Sequence, residues 1–169
     1  SNELRQCLIL GADAIGWDKR DKIPTPTGPI RRGIGMSMFI YRGGPGGQSN
    51  AEMSLDKDGC FTLNVGFMDV GEGSSTVVLQ MAADTLGVLP QMIRLNSGNT
   101  DNTPQSPMTA GSTLTFSAGQ AAVRAANQLA SVVIEAASEV IGLTDTEGLY
   151  ITPGGVRSMG GDGVTFADL

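Results

Sequence analysis

The 169 residues contain no histidine and only two cysteines, Cys7 and Cys60. The missing imidazole excludes Ser-His-Asp and Cys-His catalytic groups and any zinc site built on His spacing. Two cysteines far apart cannot form a disulfide framework, and both are expected to be buried thiols. Aromatics are only 5% of the chain. No apolar run reaches the roughly 18 residues of a spanning helix, and the N-terminus lacks a basic-then-apolar leader. Lysine and arginine number 11 against 17 acidic residues, a net charge of -6, and nowhere form a run. That balance argues against nucleic acid or an anionic membrane as a partner. The cytoplasm is the expected compartment, with the periplasm left open.

Glycine is abundant, and its placement is informative. Gly66-Phe67-Met68-Asp69-Val70-Gly71-Glu72-Gly73-Ser74-Ser75-Thr76 joins an alternating strand, Cys60 to Val65, to a helix whose Val77, Val78, Met81, Ala82, Thr85 and Leu86 recur at helical spacing. The N–H groups of Gly73, Ser74, Ser75 and Thr76 then lack intrahelical acceptors. With the macrodipole they favour an anion such as phosphate by about 0.3–1 kcal/mol at an exposed site. The simpler reading is that Ser74 or Ser75 only caps the helix.

Downstream come Gly98-Asn99-Thr100-Asp101-Asn102-Thr103-Pro104, then Thr109-Ala110-Gly111-Ser112-Thr113-Leu114-Thr115, then Gly119-Gln120-Ala121-Ala122-Val123. In this order, with the Gly-Glu-Gly turn, the helix end at Ala83-Asp84-Thr85-Leu86-Gly87 and the entry Arg31-Arg32-Gly33-Ile34-Gly35, they resemble the molybdenum-binding subunit of the xanthine dehydrogenase and aldehyde oxidase family. The resemblance runs from about Leu4 to the end. It implies a piece of a molybdenum hydroxylase, which uses molybdopterin, in some members as a dinucleotide, to insert a water-derived oxygen into an aldehyde or N-heterocycle. It implies as partners the rest of the molybdenum-binding subunit and iron–sulfur and flavin subunits or domains. The cofactor-binding candidates are Gly71, Glu72, Gly73, Ser74, Gly111, Ser112 and Thr115, with no protein ligand to the metal.

The family's catalytic glutamate lies in a Gly-x-Gly-Glu motif that these residues do not contain, so no catalytic residue is assigned. By order, Glu72 corresponds to the family's usual glutamine in Gly-Gln-Gly. A glutamine amide donates hydrogen bonds, whereas an ionised carboxylate only accepts them and repels a phosphate. Glu72 then turns to a pterin amino group, binds a proton or pairs with a cation from sequence outside this chain; the alternative is that the chain binds its cofactor weakly or differently. Gly111 and Thr113 stand where the family commonly has alanine and arginine around the serine matching Ser112. A non-catalytic scaffold with the same fold, and an unrelated phosphate or nucleotide binder, are the competing readings.

The fold expectation is α+β, a mainly antiparallel sheet with two long helices packed on one face, in a single domain over 1–169 that ends in a partly ordered tail, 149–169. An opening helix is expected near Glu3 to Ile15, and the start at Leu4-Arg5-Gln6-Cys7 suits a segment cut from a longer polypeptide. Arg31 to Tyr41 reads as a strand with Ile34, Met36, Met38 and Ile40 on one side. Gly43-Gly44-Pro45-Gly46-Gly47 lacks a following lysine or helix and reads as a flexible connection. Asp58-Gly59 marks a hairpin, which outweighs a calcium loop at Asp56 and Asp58. Ile93 to Asn96 is a further short strand. The second long helix, Ala118 to Ile141, starts from a Ser117–Gln120 capping box and carries a stripe of Ala118, Ala122, Ala125, Leu129, Val132, Ala136 and Val140.

Overall fold

A computed structural model describes residues 2–24, 26–44 and 47–169. The chain divides into two compact units, Ser1–Tyr41 and Arg42–Leu169, where a single domain was expected. The first holds helix α1, Asn2–Ala14, and a 3-10 turn, Trp17–Lys22, in which the Arg20 guanidinium stacks 4.7 Å from the Trp17 ring. The strand expected over 31–41 does not form. Phe39 and Ile40 are 83% and 90% exposed. Alternation suits a half-buried face, but a strand also needs a hydrogen-bonding neighbour, and no described segment of this unit supplies one. Cys7 is exposed and Cys60 half-buried, so neither is the fully buried thiol expected.

The second unit is built on strands β1, Ala51–Leu55, β2, Phe61–Val65, and β3, Ile93–Ser97, in the order β1-β2-β3. The Asp58-Gly59 hairpin forms as the sequence indicates: Gly59 has φ +78°, and the Asp58 carboxylate accepts the Cys60 N–H at 3.1 Å. Asp56 and Asp58 spend their charge on Arg94 of β3, with N–O distances of 3.2 and 2.5 Å. β1 and β2 are antiparallel, Met53 facing Leu63, but β3 joins β2 in parallel, Leu63 facing Leu95. Helix α2, Ser74–Leu86, makes that crossover, because a hairpin cannot connect parallel neighbours. Gly87, at φ +75°, closes α2 by donating its N–H to the Ala83 and Asp84 carbonyls.

Phe61, Leu63 and Val65 point to one face of β2 and are essentially inaccessible. Val78 and Ala82 of α2 and Ala122 and Ala126 of α3, Gly119–Ile141, belong to the same core. The helices therefore cover one face, as expected. On the opposite face Asn96 donates to Asn64 at 3.0 Å. Helix α3 does not begin at a Ser117 cap. A π-helical turn, Leu114–Ala118, leads into it, and Ala118 already has helical φ/ψ of -71° and -38°. Its buried line also departs from the predicted stripe: Ala126, Val133 and Ala137 are buried while Val132 and Val140 are 59% and 56% exposed.

The tail expected to be partly ordered is a second sheet, β4, Leu149–Thr152, β5, Gly155–Ser158, and β6, Gly163–Val164, antiparallel throughout. It is anchored by Val156, Val164 and Phe166 in the common core, where the Phe166 ring meets Phe61 edge-on at 4.9 Å. Gly155 is required there, since a Cβ would lie 2.1 Å from the Val164 carbonyl oxygen. The α+β class and the predominance of antiparallel pairing hold, distributed over two sheets instead of one.

Candidate functional site

Because β2 and β3 are parallel, both end at the same edge of the sheet. The loops that follow them, 66–73 and 98–113, therefore emerge side by side, the position where ligands bind in sheets of this kind. Gly66 sets how closely they pack: a Cβ there would fall 1.9 Å from the Pro104 carbonyl oxygen. The Thr109 hydroxyl donates to the Met68 carbonyl at 2.6 Å, tying the second loop to the first. From the other side, Gly44 N–H donates to the Gly111 carbonyl at 2.9 Å, and the Thr113 hydroxyl donates to the Gly44 carbonyl at 3.3 Å. The described glycines of the 43–47 run thus include a fixed strap, not only a connection; Pro45 and Gly46 lie outside the described residues.

Between the loops is a pocket of about 300 Å³. One wall holds Val70, Glu72, Ser74 and Val77, and the other is the continuous run 109–115. Five of the seven candidates read from the sequence, Glu72, Ser74, Gly111, Ser112 and Thr115, line this pocket. Gly71 and Gly73 do not. They shape the turn beneath it, with φ of +105° and +84°, values that favour glycine. Ser112 is held at φ +61°, the one non-glycine in this region among the described residues, and Phe116 N–H donates to its carbonyl at 3.4 Å. Two helical N-termini, Ser74 of α2 and the π turn at Leu114, so face one space.

The α2 terminus is not vacant. Asp69 Oδ1 accepts the N–H groups of Gly71 at 2.8 Å and Gly73 at 3.2 Å, and Oδ2 accepts that of Ser75 at 3.1 Å. Two of the four donors that the sequence reserved for an external anion, Gly73 and Ser75, are thus satisfied by the chain itself. The backbone bonds from Gly71, Ser75 and Gly73 hold the Asp69 carboxyl below its ordinary value. Sequence reasoning passed over Asp69, although aspartate two residues before a glycine is a recognisable Asx-turn signal.

Glu72 escapes repulsion by folding back, its Oε2 accepting the Val70 N–H at 2.8 Å. Its carboxyl is also held below the ordinary range, first by the Ser74 hydroxyl and then by backbone N–H groups, against the opposing charge of Asp69. It therefore stays ionised at neutral pH, which removes protonation from the escapes considered, and no lysine or arginine of this chain lines the pocket. The Ser74 hydroxyl lies near this carboxylate without reaching hydrogen-bond geometry. Ser74 is only 4% exposed and its Oγ is buried without a partner. The buried hydroxyls of Ser49 and Ser106 are unpaired as well, but Ser74 is the one of the three that lines the pocket, where its hydroxyl is open to a ligand atom, a water or the Glu72 carboxylate.

A model of the molybdopterin cofactor-binding domain family matches residues 10–169. The chain belongs to this family. It is 30% identical over 169 residues to the Probable hypoxanthine oxidase XdhD of Escherichia coli (strain K12), covering 98% of this chain and 17% of that protein. It is 31% identical over 144 residues to the xanthine dehydrogenase molybdenum-binding subunit of Escherichia coli O157:H7, covering 82% and 19%. Among solved structures it is similar to quinoline 2-oxidoreductase from Pseudomonas putida 86, with TM-score 0.60 and 27% identity over 70% of this chain and 15% of that one. The domain thus spans under a fifth of the length of the relatives it matches. Molybdopterin is its cofactor, and the pocket suits it: it offers the unpaired Ser74 hydroxyl, the hydroxyls of Ser112 and Thr115, and apolar walls at Val70, Val77 and Leu114.

Proposed function

We propose that this domain supplies two loops of the molybdopterin cradle of an oxidoreductase acting on an aldehyde or N-heterocycle, and that the catalytic base comes from elsewhere in the complete protein. The observation that carries the reading is the shared pocket, in which Glu72 and Ser74 stand opposite Gly111, Ser112 and Thr115. When bound, molybdopterin supplies the redox centre at which a water-derived oxygen enters an electrophilic carbon.

The chain's own contribution is binding and orientation. Ser74, Ser112 and Thr115 offer hydroxyls that donate or accept. Val70, Val77 and Leu114 exclude water and strengthen the polar contacts beside them. Glu72 is the carboxylate on the pocket wall, but its basicity is lowered, it is tied to the Val70 N–H and it stands where the family has glutamine, so it serves as a hydrogen-bond acceptor and not as the base. The rest of the molybdenum-binding subunit, with iron–sulfur and flavin subunits or domains, completes the enzyme.

The isolated 169-residue chain is therefore expected to fold and to bind cofactor weakly but not to turn over an aldehyde or azaheterocycle with added molybdopterin and an electron acceptor. Steady-state turnover by the chain alone would refute the assignment of the base to another segment. Asp69 and Glu72 also favour a second reading, a non-catalytic module that has kept the fold. Molybdenum and pterin absent from the complete, matured protein would select it.

A further inference from the structure

We propose that the outer edge of β1 and the adjoining face of α3 form a docking groove for one extended strand, supplied by a part of the complete polypeptide outside these 169 residues. β1 stands at one end of the order β1-β2-β3 and so has a free side. The Asp56 N–H donates to the Cys60 carbonyl at 2.8 Å, in register with the β1–β2 ladder, which makes Glu52 and Ser54 the residues bonded to β2. By the same alternation the N–H and C=O groups of Ala51, Met53 and Leu55 point away from β2, a row of donors and acceptors open to a further strand.

The other wall is the second half of the stripe predicted for α3. Leu129, Val132, Ala136 and Val140 recur at steps of three and four, yet the domain's own core takes Ala126, Val133 and Ala137 and leaves Val132 and Val140 more than half exposed. α3 therefore carries two apolar lines, one of them uncovered. Met53, Leu55, Leu129, Val132, Ala136 and Leu169 line a groove of about 520 Å³, and a hollow of about 330 Å³ at Ala51, Met53, Leu129 and Val132 continues it along β1. The groove shares no lining residue with the cofactor pocket.

The two walls select the occupant. A backbone edge needs a partner whose own N–H and C=O groups are free at the same spacing, which a strand has and a helix, bonded internally, does not. Alternate side chains of that strand lie over α3 and are apolar; those between them share the exposed face of Glu52 and Ser54 and are polar. A second copy fits less well, because its Ala51, Met53 and Leu55 side chains already pack against their own core and leave none to fill the groove. This chain covers only 17% of its Escherichia coli relative, so more than four-fifths of such a polypeptide is available to supply the strand.

Hydrogen exchange on the complete, matured protein, read residue by residue, tests the pairing. The amides of Ala51, Met53 and Leu55 should exchange at least about 100-fold more slowly than in an unstructured peptide, as those of Glu52 and Ser54 do. Rapid exchange of the three beside slow exchange of the two would overturn the inference. The source is identified by replacing Val132 with the photo-crosslinker p-benzoylphenylalanine in the same protein; should that variant fail to mature, the exposed Gln128 beside it is replaced instead. The expected result is a cross-link within one polypeptide, to a stretch outside these 169 residues whose apolar residues alternate. A link to a second copy or to another subunit, to a stretch with helical spacing, or only back into the 169 residues would overturn the inference, as would no link at all.

Discussion

Replacing Ser74 by alanine separates stability from function at this pocket. The side chain is buried without a hydrogen-bond partner. Leaving a buried hydroxyl unsatisfied costs about 1–3 kcal/mol relative to a satisfied or apolar group. Ser74→Ala removes that penalty with little change in volume, so the cofactor-free chain should become more stable, by at most about 1–3 kcal/mol less what the hydroxyl lends the Glu72 carboxylate. At this length each kcal/mol is about 2–4 °C in Tm. Cofactor binding should move the other way, since losing a hydrogen bond of net ~0.5–1.5 kcal/mol weakens affinity about 2- to 12-fold. Urea unfolding of both proteins, followed by circular dichroism, measures the first effect, and a molybdopterin titration the second. A destabilised Ser74→Ala chain would refute the reasoning, because it would mean that the hydroxyl is already bonded within the fold, with the Glu72 carboxylate as the nearest acceptor.

Gly66→Ala would press a Cβ to 1.9 Å from the Pro104 carbonyl oxygen, so it should cost about 1–3 kcal/mol or more by overpacking and lower Tm, with the two pocket loops forced apart. A neutral result in thermal unfolding would mean that the loops are not in register at this point. Asp69 is held below its ordinary pKa by N–H donors, so its contribution is complete above about pH 4 and is lost as pH falls through the lowered native value. Asp69→Asn should flatten that acidic limb of the urea-midpoint profile, and an unchanged slope would show that the Asp69 bonds are not made. Ser112→Gly relieves a left-handed serine but gives up backbone rigidity, so stability should change by less than about 1 kcal/mol while molybdopterin affinity falls several-fold. Equal affinities would remove the Ser112 hydroxyl from the site.

What could be read from the chain was mostly local. Asp58-Gly59 encodes its hairpin in two residues, and the helical spacing from Val77 to Leu86 ends at a glycine that adopts the conformation required of it. The parallel pairing of β2 with β3 departs from the mainly antiparallel sheet expected, although the helix between the two strands is itself the signal of a parallel crossover. Because a strand's neighbour is a tertiary property, the alternation in 31–41 promised a strand that finds no partner among the described residues of its unit. The π turn before α3 defeated the capping argument at Ser117, since the helical path starts several residues earlier. The stripe error grew along α3, where steps of three and four placed Val132 on the buried side instead of Val133. At the site, the resemblance named Glu72, Ser74, Gly111, Ser112 and Thr115, but no local rule could bring the two loops together. Only the closure of the α2 donors by Asp69 was written locally, in the spacing of Asp69, Gly71 and Gly73.

The account depends most on the two loops forming one cofactor pocket. Determining the structure of the complete, matured protein with molybdopterin bound tests it most directly. The account predicts density for the cofactor between 70–77 and 109–115, with a polar atom of the cofactor within hydrogen-bond distance of Ser74 Oγ. A cofactor seated elsewhere, with Ser74 still buried and unpaired, would contradict it.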